Sequence, residues 1–282
     1  MSKMSPLQLG QKLNLPAVSI EALKNFKVSE ETAARLKAAF QSSQEEFEAE
    51  ARKEPEADLL VLALYLRWSM DAHFLYAIRG MSWDIFFDTF RDLTIWANAF
   101  TEETGRPGLK EWGWCGRAIR MQLFRLGRLQ FQEESLASDI VLGDETFPAG
   151  TKVLQVHIPA GEPLTPEAVE ESLGRAQSFF RTYYRQKYEL FCCRSWLLSP
   201  ALEELLGEDS NILQFKKRFE LYGTLPERQA EERVFGKLQA DPACYPEDTS
   251  LQRSMKQYLM AGKQVDMGCG IIRCRNVEEV YS

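Results

Sequence analysis

The chain has 282 residues, of which 45% are hydrophobic and 27% charged, and its net charge is -7. The length exceeds the roughly 100 to 200 residues usual for one domain, so two domains are expected, and the apolar content excludes a disordered chain. The acidic balance argues against nucleic acid as a partner, because neutralising a phosphate backbone takes a basic face.

In residues 19–51, Ile20, Leu23 and Phe26 and then Ala33, Leu36 and Phe40 recur at helical spacing, with capping residues Ser29 and Thr32 between them. Short amphipathic helices are expected there. Residues 55–78 form a longer helix with a broad apolar surface of Leu59, Leu60, Leu62, Ala63, Leu66 and Met70. Over 83–100, Phe86, Phe87, Phe90, Leu93, Trp96 and Phe100 share one helical stripe that ends at Gly105, Pro107 and Gly108. Aromatic residues at this spacing read as core rather than as a cofactor box. One more helix within 110–123 hands the chain to the second domain, so 1–115 is expected to be an all-helical N-terminal domain and 116–282 a second one.

The pattern then changes to period two. Leu126, Arg128 and Gln130 alternate with Gly127, Leu129 and Phe131, as in a half-buried strand. A turn-rich stretch around Gly143, Asp144, Pro148 and Gly150 leads to a second strand at 153–158, expected to lie antiparallel to the first. Thr165 caps a helix with Pro166 at its first position, and Val169, Leu173, Ala176, Phe179 and Phe180 face the sheet. Residues 188–198 make a dense apolar strand of the kind buried in a parallel pair. A second helix spans 200–219, interrupted near Gly207, with Ser210 starting its second half. A strand at 219–224, helices near 226–238 and 249–259, and a final strand at 270–275 complete the chain.

Six cysteines follow no disulfide framework, and Cys192 and Cys193 are adjacent in an apolar run. With no signal-like start and no apolar stretch of about 18 residues, the expected setting is cytoplasmic, without a membrane. The Arg run Arg117, Arg120, Arg125 and Arg128 reads either as a patch for a small phosphorylated ligand or as an exposed face. No metal site is expected, since the two histidines are distant and no Cys-x-x-Cys occurs. G-x-S-x-G and P-loop motifs are also missing.

His157 ends a strand immediately before a turn, where a general base would have the needed pKa and exposure. Its alternation with Leu154, Val156 and Ile158 places it with Gln155 on the other sheet face. A histidine that fixes the loop by hydrogen bonding is the competing reading. The 159–165 turn precedes a helix N-terminus, which favours anions, although Glu162 and Glu167 stand beside it. Ser195 in the apolar strand, and Ser210 with Asn211 at the helix interruption, are polar groups that need partners, and capping accounts for Ser210.

The segments FRLGRLQF (124–131), VHIPAGEPL, CCRSWLL and SNILQF, preceded by TGRPGLKEW, resemble bacterial acyltransferase-like proteins. That family has a helical N-acyltransferase N-terminal domain and a GNAT-like C-terminal domain. The resemblance implies an α+β fold, an all-helical N-terminal domain followed by a GNAT-like mixed α/β C-terminal domain. It implies that strands 153–158 and 189–198 splay around an acyl-CoA thioester. Ile158, Pro159, Ala160, Gly161 and Thr165 would receive its pyrophosphate, with Ser195, Ser210 and Asn211 as further cofactor-binding candidates and 200–219 along the pantetheine. PAGEPLT stands where the family's Gln/Arg-x-x-Gly-x-Gly/Ala loop is usual.

The implied function is a CoA-dependent N-acyltransferase using acetyl-CoA or another acyl-CoA and a small-molecule or peptide amine acceptor. His157 would be the base, Glu133 a substitute acting through water, and Tyr222 the proton donor to the thiolate. The alternative is a non-catalytic GNAT-fold module that binds another ligand or a protein.

Overall fold

The structure, a computed structural model, describes residues 4–274 and divides between residues 126 and 127 into two compact units. The first unit contains α1 (Pro6–Lys12), α2 (Ala17–Asn25), α3 (Glu30–Ser42), α4 (Gln44–Ala51), α5 (Ala57–Arg79), α6 (Trp83–Phe90), α7 (Asp92–Thr104) and α8 (Trp112–Ile119), and ends in β1 (Leu123–Leu126). Ser5, Ser29, Ser43 and Ser82 each accept from a backbone N–H two or three residues on, satisfying donors that a helix start leaves open.

Helix α5 is the centre of this unit, with Val61, Leu62, Leu64 and Tyr65 fully buried. Tyr65 stacks on Phe47 at 5.6 Å and donates to the Trp112 carbonyl at 2.9 Å. Helix α8 is thereby packed on α4 and α5, and the helical unit runs past the expected boundary at 115. The stripe at 83–100 is two helices rather than one. Arg91 N–H bonds the carbonyls of both Phe87 and Asp88, a tightened turn that ends α6, yet Phe86, Phe90, Leu93 and Phe100 still face the core.

The second unit contains β2 (Leu129–Ser135), the ribbon β3 (Ile140–Leu142) and β4 (Glu145–Phe147), β5 (Lys152–His157), α9 (Pro166–Phe179), β6 (Leu190–Ser195), α10 (Leu202–Leu205), α11 (Asn211–Lys216), β7 (Glu220–Leu225), α12 (Gln229–Phe235), α13 (Ser250–Met260) and β8 (Met267–Arg273). Its strands run in the order β2-β5-β6-β8-β7. Only β5 and β6 are parallel among these neighbours, joined through α9, whose Val169, Leu173, Ala176 and Phe179 are buried as expected. The final strand covers 267–273, and Arg275 of the expected 270–275 strand lies outside the described residues.

One expectation is corrected here. FRLGRLQF is not one strand, because the chain turns at Gly127 and Arg128 between β1 and β2. Gly127 has φ 85, and a Cβ there would meet Ser172 Oγ at 2.8 Å, so the turn demands glycine. The 200–219 segment is interrupted as expected, into two short helices, with Ser210 capping the second by accepting from Ile212 N–H at 3.2 Å.

Candidate active site

Strands β5 and β6 are paired at only two positions, Leu154 opposite Phe191 and Gln155 opposite Cys192. Beyond these both strands continue without an inner partner among the described residues. Strand β5 stays bound to β2 as far as His157, which lies opposite Gln130, and β6 stays bound to β8 as far as Ser195, opposite Gly268. Each strand thus follows its outer antiparallel neighbour while the parallel ladder between them ends. That divergence opens a wedge whose inner edges carry backbone donors and acceptors.

Alternation puts different chemistry on the two faces of the wedge. Gln155 and His157 share a face with Cys192 and Arg194, and with Gln130 and Gln132 of β2. Gln130 and Gln155 are buried, and Arg194 is tied to Glu134 at 3.0 Å. On the opposite face Phe131 and Phe191 are in ring contact at 5.7 Å and α9 packs on β2. Burial pushes the Cys192 thiol up to about 12 and Cys193 higher still. Both stay protonated near neutral pH, so neither serves as a nucleophile.

After β5 the chain enters the 158–165 turn. Ala160 and Gly161 are exposed, and Gly161 has φ 120. Thr165 Oγ1 accepts from Ala168 N–H at 3.3 Å, and Pro166 has no N–H, so this helix start keeps few open donors. The turn is held from within by Arg128, whose Nε donates to the carbonyls of Glu162 (2.7 Å) and Pro163 (3.3 Å) and whose Nη1 donates to that of Pro159 (2.8 Å).

The other candidates fall in different places. Ser195 Oγ accepts from Leu197 N–H at 3.1 Å, capping the 3-10 turn Trp196–Leu198 at the end of β6. Asn211 is exposed at the start of α11. Beside that segment, a cavity of about 520 Å³ is lined by Glu203, Glu208, Leu213, Lys216, Lys217, Phe219 and Leu221, and buried Lys216 reaches Glu203 at 2.5 Å.

Glu133 lies on the sheet face opposite His157, where it accepts from the Tyr188 hydroxyl and from Lys152 Nζ at 3.2 Å. The Tyr188 hydrogen bond, aided by Lys152, holds its carboxyl below the usual range. Tyr222 packs against the Leu190, Cys192 and Ile271 cluster, and burial raises its hydroxyl pKa. It sits on β7, three strand spacings or about 14 Å from β5. The structure therefore places Glu133 on the face opposite His157, and Tyr222 against the cluster that holds Cys192, the residue paired with Gln155.

The Arg run does not form an exposed basic face. Arg125 and Arg128 are buried, Arg120 donates to the Phe40 carbonyl (2.7 Å) and Gln44 (2.8 Å), and Arg117 lies over the Trp114 ring at 5.0 Å. Sequence reading missed the amide-lined face. Its one signal is that Gln130, Gln132 and Gln155 occupy strand positions facing inward, where apolar residues are the rule. Among the described residues no group of three or more His, Cys, Asp or Glu could hold a metal, and no helix is long and apolar enough to cross a membrane.

A family model for an N-acyltransferase N-terminal domain matches residues 7–121, and one for a GNAT-like C-terminal domain matches residues 123–272. Among solved structures, an acyltransferase in complex with decanoyl-CoA and teicoplanin is 26% identical, with TM-score 0.77 over 95% of this chain and 87% of that one. A mutant acyltransferase in complex with octanoyl-CoA is 25% identical, with TM-score 0.78 and the same coverage. An acyltransferase in complex with CoA and 10C-teicoplanin is 25% identical, with TM-score 0.77, again covering 95% and 87%. No curated protein matches the chain.

Proposed function

The chain belongs to the family with a GNAT-like C-terminal domain, here behind an N-acyltransferase N-terminal domain, and on that premise we propose that it transfers an acyl group from an acyl-CoA to an amine. The observation that carries this reading is the β5–β6 ladder that stops at Gln155 and Cys192 while both strands run on. A thioester laid into that wedge would hydrogen-bond along the strand edges as an added strand does, with its carbonyl against backbone N–H groups.

The amine attacks the thioester carbon, the C–N bond forms, and the C–S bond breaks as the tetrahedral intermediate collapses. His157, at the mouth of the wedge, takes the proton released by the amine. The imidazolium so formed returns that proton to the departing thiolate, so Tyr222 is not required across its three strand spacings. Glu133 serves the fold rather than the reaction, since it is held ionised on the other face.

The solved relatives bound to octanoyl-CoA, decanoyl-CoA and teicoplanin guide the choice of probes. A small-molecule amine is the proposed acceptor. A reducing cytoplasm, where acyl-CoA is made and the six free cysteines stay reduced, is the proposed setting. The expected result is saturable binding of octanoyl- or decanoyl-CoA by calorimetry and release of CoA thiol when an amine acceptor is added. No binding of acetyl-, octanoyl- or decanoyl-CoA at millimolar concentration would overturn the reading.

One observation favours a non-catalytic binding module instead: Thr165 and Pro166 occupy the start of α9, and Glu162 and Glu167 add negative charge beside it. Acyl-CoA binding without thiol release across a broad panel of amines would support that reading.

A further inference from the structure

We propose that Arg128 is the positioning residue that gives the 158–165 turn a pyrophosphate-receiving form; this rests on the acyl-CoA reading above. Arg128 is anchored at both its backbone and its side chain. Its N–H donates to Ser172 Oγ at 2.8 Å, and that hydroxyl donates to the Ala168 carbonyl at 2.8 Å, so residue 128 is fixed to the first half of α9. From there the planar guanidinium gathers carbonyls from both sides of Gly161: Pro159 before it, Glu162 and Pro163 after it. A fork of fixed donor directions can do this, whereas a single ammonium cannot reach all three.

The consequence follows from peptide planarity. In a trans peptide the N–H points opposite to the C=O, and the structure contains no cis bond among the described residues. Drawing the Pro159 and Pro163 carbonyls inward therefore turns the Ala160 and Leu164 N–H groups outward. Among the described residues neither amide meets a hydrogen-bond acceptor. Two outward amides at the two ends of the turn, backed by a guanidinium, offer an anion donors that owe nothing to the Thr165 cap or to Pro166. The receiving groups are thus the Ala160 and Leu164 amides, and Arg128 aims them.

The test compares two probes that share acyl chain, thioester and pantetheine arm but differ in the 3'-phosphoadenosine diphosphate that carries the pyrophosphate: decanoyl-CoA and decanoyl-pantetheine. Calorimetry on Arg128→Lys is expected to show decanoyl-CoA binding weakened about 10- to 100-fold, the size of one or two charge-assisted hydrogen bonds, with decanoyl-pantetheine binding at its wild-type value. Should Arg128→Ala unfold, Arg128→Lys carries the same comparison, its folding checked by thermal melting. Equal weakening for both probes, or for neither, would overturn the positioning role. Wild-type protein that binds neither probe would instead overturn the acyl-CoA reading itself, and one that binds both equally tightly would remove the turn from pyrophosphate recognition.

Discussion

Gln130 lies directly opposite His157 across the β2–β5 ladder, with 1% of its surface exposed, so the side chain beside the proposed base is a buried amide. A buried amide needs hydrogen-bonding partners, and on this face it sits among Gln132, Gln155 and His157. His157→Ala is expected to lower amine-dependent thiol release by about 10²- to 10⁴-fold while acyl-CoA binding is retained, the usual share of a general base. Gln130→Leu is expected to lower it less. If melting temperature and binding fall together with turnover in His157→Ala, the histidine is holding the loop rather than moving protons.

Thr165 separates capping from cofactor contact. Its hydroxyl accepts from Ala168 N–H, the role expected of a helix cap, so Thr165→Ala is expected to cost about 1 kcal/mol of stability and to leave the acyl-CoA Kd unchanged. A Kd raised tenfold or more with that stability loss would place the hydroxyl on the phosphate instead.

The Tyr188 hydroxyl on Glu133 has a pH signature. Glu133 has a lowered pKa in the folded protein, so its contribution is present above the unfolded carboxyl pKa and is lost as pH falls through the folded value. The window lies on the acid side, below about pH 4.3. Tyr188→Phe is expected to cost about 1 kcal/mol at pH 7, discounted because Glu133 is partly exposed, and to flatten the acid-side loss of stability. Melting curves at pH 7 and pH 3.5 check this, and a difference between wild type and variant that is the same at both pH values would rule the ion out as the cause.

The β5–α9–β6 unit was legible because each part announces itself locally. Residues 153–158 alternate, Thr165 and Pro166 mark a helix start, and Leu190 to Cys193 form a fully buried strand. His157's face followed from the same alternation. The turn at Gly127 and Arg128 was hidden, since period two continues through it and the reason for glycine is Ser172, distant in sequence. Arg128's role was hidden too, because it bonds backbone carbonyls, which any sequence offers. The separation of Glu133 from His157 becomes visible only when the register sets Gln130 opposite His157 and so turns Glu133 to the other face.

Two glycines give opposite expectations from the same substitution. At Gly268, in β8, a Cβ would meet the Leu198 carbonyl oxygen at 2.2 Å, and a backbone atom cannot swing aside as a side-chain tip can. Because β8 is held against β6 there, opposite Ser195, Gly268→Ala must move either the ladder or the Trp196–Leu198 turn. It is expected to cost about 1 to 3 kcal/mol, the usual range for overpacking, and to lower the melting temperature by several degrees. At Gly174, inside α9, a Cβ meets nothing within 4 Å, so alanine there adds helix propensity without a clash. Gly174→Ala is expected to stabilise by about 0.5 to 1 kcal/mol. Because the Gly268 strain falls at the outer support of the wedge, Gly268→Ala should also weaken decanoyl-CoA binding, whereas Gly174→Ala should not. Unchanged binding in Gly268→Ala would mean that the β6–β8 ladder does not hold the wedge open.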